Sequence, residues 1–209
     1  MSVRPIAVLL LSMPLFAACG GLTSRAKPPE TYRLVPIKLG PIADPADGVL
    51  VVARPVARPG LEGDRLVVTL PDHRVDVYAA ARWVGPLPTL TEGLLLDALR
   101  ARRVAAAVVS ERDGFPGAYR LQTEIATFEA NYVTVGQPPV VKVVLRGHVG
   151  LDTGTRRVLG EVSAEGESHA LADRRSAVAD AFQAAWAAAL EAYVARVAEM
   201  LKPTAGSTP

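Results

Sequence analysis

Val141-Lys142-Val143-Val144-Leu145-Arg146-Gly147-His148-Val149-Gly150-Leu151-Asp152 decides how this chain is read. Val141, Val143, Leu145, Val149 and Leu151 alternate with Lys142, Arg146, His148 and Asp152. A period of two puts each set on its own face of a strand, one dry and one wet. Asp152-Thr153-Gly154-Thr155 turns the chain. Arg157, Glu161, Glu165 and Glu167 then alternate with Val158, Val162 and Ala164 as the return strand. Upstream, Leu121, Thr123 and Ile125 share one face before the phase changes to Phe128, Ala130 and Tyr132. Such a one-residue slip predicts a β-bulge near Ala126 and Thr127.

Beyond the return strand, Val178, Phe182, Trp186, Ala189, Tyr193, Val197 and Met200 recur every three or four residues, with Asp180, Gln183, Glu191 and Glu199 opposite. This is a long amphipathic helix stopped by Pro203. Its plain role is packing on the sheet. A membrane or partner-helix role is the alternative, although its polar face lacks the basic character of a membrane-surface helix.

The first half is built from shorter pieces. Val49 to Val56 reads as a buried strand, and Arg65 to Leu70 and Val75 to Ala80 as strands flanking the turn Pro71-Asp72-His73. Thr89-Leu90-Thr91-Glu92 fits a capping box opening a helix with Leu90, Leu94 and Ala98 on its apolar face. Val104 to Val109 is short and wholly apolar, which predicts a central strand. The sum is a single α+β domain over residues 32–202: a mixed, largely antiparallel sheet packed against two helices, the longer one C-terminal.

Both ends fall outside that domain. Arg4, the apolar run Ile6 to Phe16 and the small residues Ala17 and Ala18 read as a signal peptide over 1–18. The run is shorter than the ~20 residues a spanning helix needs. Phe16-Ala17-Ala18-Cys19 resembles the lipobox of bacterial lipoproteins, with Phe16 where leucine is preferred. Cys19 is the only cysteine and is the expected lipid-attachment residue. A lone thiol in an oxidising compartment is a liability that a thioether removes. One acyl chain binds a membrane marginally, at about 0.8 kcal/mol per methylene. The resemblance implies three chains and permanent attachment. Gly20, rather than Asp, after the cysteine favours the outer membrane over the inner. Residues 19–31, with Gly20, Gly21, Pro28 and Pro29, form the lipidated tether, and residues 203–209 a short disordered tail.

Charge and motifs restrict the function. The formal charge is +2, and becomes +1 once Arg4 leaves with the signal peptide, so nothing favours nucleic acid. No nucleophile elbow, phosphate loop or His-Glu-x-x-His pair is present, and no cofactor is expected. His73, His148 and His169 are too scattered to predict a metal site. Asp72 with Asp76, and Glu161 with Glu165, have the spacing of a solvated strand face rather than of an acid/base pair. Tyr78 and Trp83 stand out before Pro86 and Pro88. Trp83 is either a core plug at the start of the helix or part of a binding surface.

Three stretches carry a family likeness: Tyr32-Arg33-Leu34, Leu61-Glu62-Gly63-Asp64-Arg65-Leu66-Val67-Val68, and Tyr78-Ala79-Ala80-Ala81-Arg82-Trp83-Val84-Gly85-Pro86-Leu87. In order and spacing the chain resembles the ABC-type transport auxiliary lipoproteins, which include the paraquat-inducible (Pqi) lipoprotein. Gly85 departs from the family, where an acidic or small polar residue is common. The resemblance implies a non-enzymatic envelope protein working with an ABC permease, its ATPase and an MCE-domain protein that move lipid between membranes. It would dock the MCE assembly at the outer membrane, facing the periplasm, with Tyr32, Leu34, Tyr78 and Trp83 as candidate partner-binding residues. A homo-oligomeric ring matching an MCE ring is a further expectation. Two other functions fit the same export signal: a lipoprotein assisting lipopolysaccharide insertion or activating a peptidoglycan synthase, and an envelope hydrolase.

Overall fold

The computed structural model describes residues 28–152 and 157–202. Its elements are β1 (Glu30–Tyr32), β2 (Ala46–Val52), β3 (Val56–Ala57), β4 (Arg65–Thr69), β5 (Val75–Trp83), α1 (Leu87–Arg102), β6 (Ala105–Ser110), β7 (Tyr119–Asn131), β8 (Val140–Leu151), β9 (Arg157–His169) and α2 (Arg175–Leu201). All the strands join one mixed sheet with the helices packed on it, the longer helix C-terminal.

β7 organises the sheet. On one side it pairs antiparallel with β8, which pairs antiparallel with β9. On its other side three short strands follow one another along its length, all parallel to it: β2 at Tyr119–Leu121, β3 at Glu124–Ile125 and β4 at Glu129–Asn131. The sheet therefore forks. One wing continues from β2 to β6, the other from β4 through β5 to β1. The apolar run expected as one strand, Val49 to Val56, is split between β2 and β3, because Pro55 has no N–H to give a ladder. The ladder resumes where Arg58 N donates to Ile125 O at 3.1 Å.

The predicted bulge is present, as the β7–β8 register slips between Ile125 and Thr127. It lets Ile125 and Phe128 both point inward. Phe128 stacks on Phe182 of α2 (5.2 Å, 14°), and both meet the edge of Trp83, at 5.8 and 5.3 Å. Trp83 is 1% exposed, so the core-plug alternative describes its position. Val178, Phe182, Trp186, Ala189, Tyr193 and Val197 are all buried, and α2 lies across β7, β8 and β9. α1 rests on the β6 wing and against α2, so both helices cover the same face and the core lies beneath them. The other face of β7–β9 keeps Gln122, Arg146, His148 and Glu161 exposed. Of the turn expected at Asp152-Thr153-Gly154-Thr155, residues 153–155 lie outside the described residues; β8 and β9 are the antiparallel neighbours it was expected to join.

Three expectations need correction. Among the described residues β6 is an edge strand, paired only with β2. Its apolar run is largely alanine, and Ala106 and Ala107 stand exposed at little cost. Second, Thr89 and Glu92 form no capping box. The helix starts three residues earlier than that box implies, at Leu87, with Pro88 in its first turn, where a missing N–H costs nothing. Its buried face is Leu87, Thr91, Leu95, Ala98 and Leu99, so Ala98 is buried as expected while Leu90 and Leu94 lie at the margin. Glu92 instead turns inward to Ser110 (3.4 Å) and Arg112 (2.7 Å). The capping box lies there: Ser110 caps the 3-10 turn Glu111–Asp113 and Asp113 returns the bond at 2.9 Å. Third, the tether was expected to reach Thr31, yet Glu30 and Thr31 already pair with Ala81 and Arg82.

Candidate docking site

The three stretches that carry the family likeness lie far apart in sequence and meet at one place. Tyr32 pairs with Trp83 across β1 and β5, and its carbonyl accepts from Val84 N at 2.8 Å. Asp64 O accepts from Trp83 N at 2.7 Å, and Gly63 O from Leu87 N at 3.0 Å. Backbone groups that β5 leaves open at its end, where α1 begins, are thus satisfied by the other two stretches. Leu34 is buried beside this junction, and Gln183 of α2 brackets Val35, accepting from its N–H at 2.8 Å and donating to its carbonyl at 3.3 Å.

Two polar clusters fasten the junction to the start of α2. Tyr32 Oη donates to Glu30 Oε2 at 2.6 Å, and Arg175 Nη2 donates to Glu30 Oε1 at 2.9 Å. Burial, reinforced by Glu30, pushes the Tyr32 phenol up to about 12. The second cluster is two phenols on one carboxylate. Tyr78 and Tyr132 donate to Asp173 Oδ1 at 2.5 and 2.6 Å, and their oxygens lie 2.7 Å apart. Burial, and then the Asp173 carboxylate, push both phenols above the ordinary tyrosine range. Glu30, Tyr132, Asp173 and Arg175 carry no local signal in the sequence, because these bonds join positions 41, 95 and 145 residues apart.

Beside Tyr78 and Tyr132 runs a shallow groove of 380 Å³, its apolar side formed by Val68, Leu70, Val77 and Val135. It has no nucleophile paired with a base. Among the described residues no three His, Cys, Asp or Glu side chains group to hold a metal. Three of the four carboxylates considered for acid/base work have basic neighbours instead: Glu165 with Lys142 (3.2 Å), Glu161 with His148 (3.4 Å) and Asp72 with Arg74 (2.5 Å), while Asp76 accepts from Val77 N at 2.7 Å. The arrangement holds surfaces in place.

Residues 32–200 match the family of the ABC-type transport auxiliary lipoprotein component. The chain belongs to that family. No curated protein matches the sequence. Solved structures share the fold. A Xanthomonas campestris protein of family DUF330 superposes with a TM-score of 0.64 at 22% identity, over 82% of this chain and 92% of that one. A hypothetical protein from Chlamydia trachomatis superposes with a TM-score of 0.56 at 9% identity, over 75% of this chain and 99% of that one. This auxiliary lipoprotein is thus a transport accessory by family, with its likeness-bearing stretches gathered at one structural junction.

Proposed function

We propose that this auxiliary lipoprotein is the anchored docking subunit of an MCE/ABC-type system that moves lipid between the two membranes. It acts without catalysis, at the outer membrane, facing the periplasm. The observation that carries this reading is the family match over residues 32–200. The export signal over 1–18 and the lipobox cysteine, Cys19, support it. Both lie outside the described residues.

Tyr32, Leu34, Tyr78 and Trp83 serve docking by holding its shape. Leu34 and Trp83 are buried, and the hydroxyls of Tyr32 and Tyr78 are engaged by Glu30 and Asp173. Their substitution would loosen the surface a partner meets rather than delete one contact. A matching homo-oligomeric ring remains part of the proposal.

Affinity purification from detergent-solubilised envelopes tests it. The MCE-domain protein encoded beside the permease should co-purify with the intact lipoprotein. Recovery of an intact, membrane-localised lipoprotein without any MCE-domain protein would overturn the docking role.

A further inference from the structure

One row crosses the sheet at a single end: Val75 pairs with Thr69, Thr69 with Asn131, Asn131 with Val140 and Val140 with His169. The segments beyond that row, 70–74, 132–139 and 170–174, therefore lie side by side. They carry much of the apolar surface the protein leaves in water. Among the described residues ten large hydrophobics are exposed, and Val75, Val77, Val133, Val135 and Leu171 lie at this end. Leu171 is 95% exposed, Val133 82% and Val135 71%. Single exposed side chains of this kind are ordinary, but five gathered on adjoining tips are a surface that excludes water poorly.

The chain itself indicates what covers them. β1 runs parallel to β5, with Glu30 beside Ala81 and Tyr32 beside Trp83. The preceding residues, Pro28 and Pro29, thus come from the direction of Val75, the apolar end. Eight residues, and so nine Cα-to-Cα steps, separate Cys19 from Pro28. Fully extended they span only about 30 Å, and a flexible chain of that length averages roughly half as much. A lipid on Cys19 would hold this end close to the bilayer, at a high effective concentration. Charge is nearly balanced at this end: Arg74 neutralises Asp72, the exposed Arg174 offsets Asp173, and Asp76 adds one exposed carboxylate between Val75 and Val77.

We propose that this end, with Val75, Val133, Val135 and Leu171 at its tips, rests in the headgroup layer of the membrane holding the anchor. The proposal rests on the lipidation of Cys19 argued above. The domain then has a set orientation. The β8–β9 end, with Val158, points away from the membrane, and the tyrosine-aspartate clamp ties strands β5 and β7 to the segment before α2 at the membrane-facing end.

The test uses the full lipidated protein in vesicles of phosphatidylethanolamine and phosphatidylglycerol. Single-cysteine variants Val135→Cys, Leu171→Cys and, as the distal control, Val158→Cys carry a polarity-sensitive fluorophore. Nitroxide-labelled lipids should quench the labels at 135 and 171 severalfold more than the label at 158. Equal, weak quenching at all three, in protein that floats with the vesicles, overturns the orientation and leaves the anchor standing. Shielding of 135 and 171 from both the nitroxide lipid and an aqueous quencher shows that protein covers them, a second copy or a partner, and also overturns it. Failure to float, with a free thiol at Cys19, overturns anchor and orientation together.

Discussion

Gly166 of β9 faces the Ala185 carbonyl of α2, with the Ala189 amide beside it, so closely that a β-carbon has no room. A β-carbon at 166 would collide with Ala185 O and stand 2.7 Å from Ala189 N, both backbone atoms that cannot swing aside. The pairing of glycine on the strand with alanine on the helix lets α2 lie unusually low on β8 and β9. That is how a helix with so many alanines still buries a continuous core.

Gly166→Ala should therefore push α2 off the sheet and destabilise the domain by about 1–3 kcal/mol. Gly93→Ala, in α1 where a β-carbon meets nothing within 4 Å, should do the opposite by roughly 0.5–1 kcal/mol, through helix propensity. Urea titrations of both variants would show the contrast. Equal midpoints would refute the close-packing account.

Glu92 is 6% exposed, and its carboxylate depends on Arg112 at 2.7 Å. Removing the guanidinium leaves a buried acceptor short of a partner, a loss of about 1–3 kcal/mol. Arg112→Ala should thus cost more than Glu92→Gln, which keeps a group able to accept the Arg112 bond. The order of the two denaturation midpoints decides the matter.

The phenols of Tyr32, Tyr78, Tyr132 and Tyr193 are all shifted upward, burial being the largest cause in each case. A group whose pKa is raised in the folded state lends stability below its unfolded value, here about 10. That stability is lost as pH climbs through the folded value, about 12 for Tyr32. Phenolate absorbance should accordingly lag behind that of the urea-unfolded chain above pH ~10, and Asp173→Asn should lessen the lag for Tyr78 and Tyr132. Identical titration curves for folded and unfolded protein would contradict the clamp.

Trp83 joins β5, β7 and α2 through Phe128 and Phe182. Trp83→Ala should cost about 3–5 kcal/mol, enough to threaten folding of a domain of ordinary stability. Thermal unfolding monitored by circular dichroism would register the loss. A transition unchanged from the parent protein would mean the plug is dispensable.

Cys19→Ser removes the sulfur on which the proposed anchor depends. The variant should leave the membrane fraction while its folded domain, from Glu30 of β1 to Leu201 of α2, keeps its far-ultraviolet spectrum. Fractionation of envelopes checks this. Retention in the membrane without Cys19 would place the anchor elsewhere.

The alternation through Val141–Leu151, the phase slip at Ala126–Thr127 and the helical repeat from Val178 to Val197 were legible in the sequence, because each is a local pattern with a fixed period. So was the α+β class, which follows from such elements in that order. Other features needed the tertiary structure. An apolar run such as Val104–Val109 does not say how many neighbours its strand has, and β6 proved to be an edge. Glu92 lost its expected capping role because Pro88 could open the helix earlier and Arg112, distant in sequence, offered a stronger partner. The junction of Tyr32, Gly63, Asp64 and Trp83, the Tyr78–Tyr132–Asp173 clamp and the cluster of apolar tips around Leu171 arise only when segments far apart in sequence are brought together by one sheet. Periodicity states which face of an element is dry; which elements share an end depends on how the whole core closes.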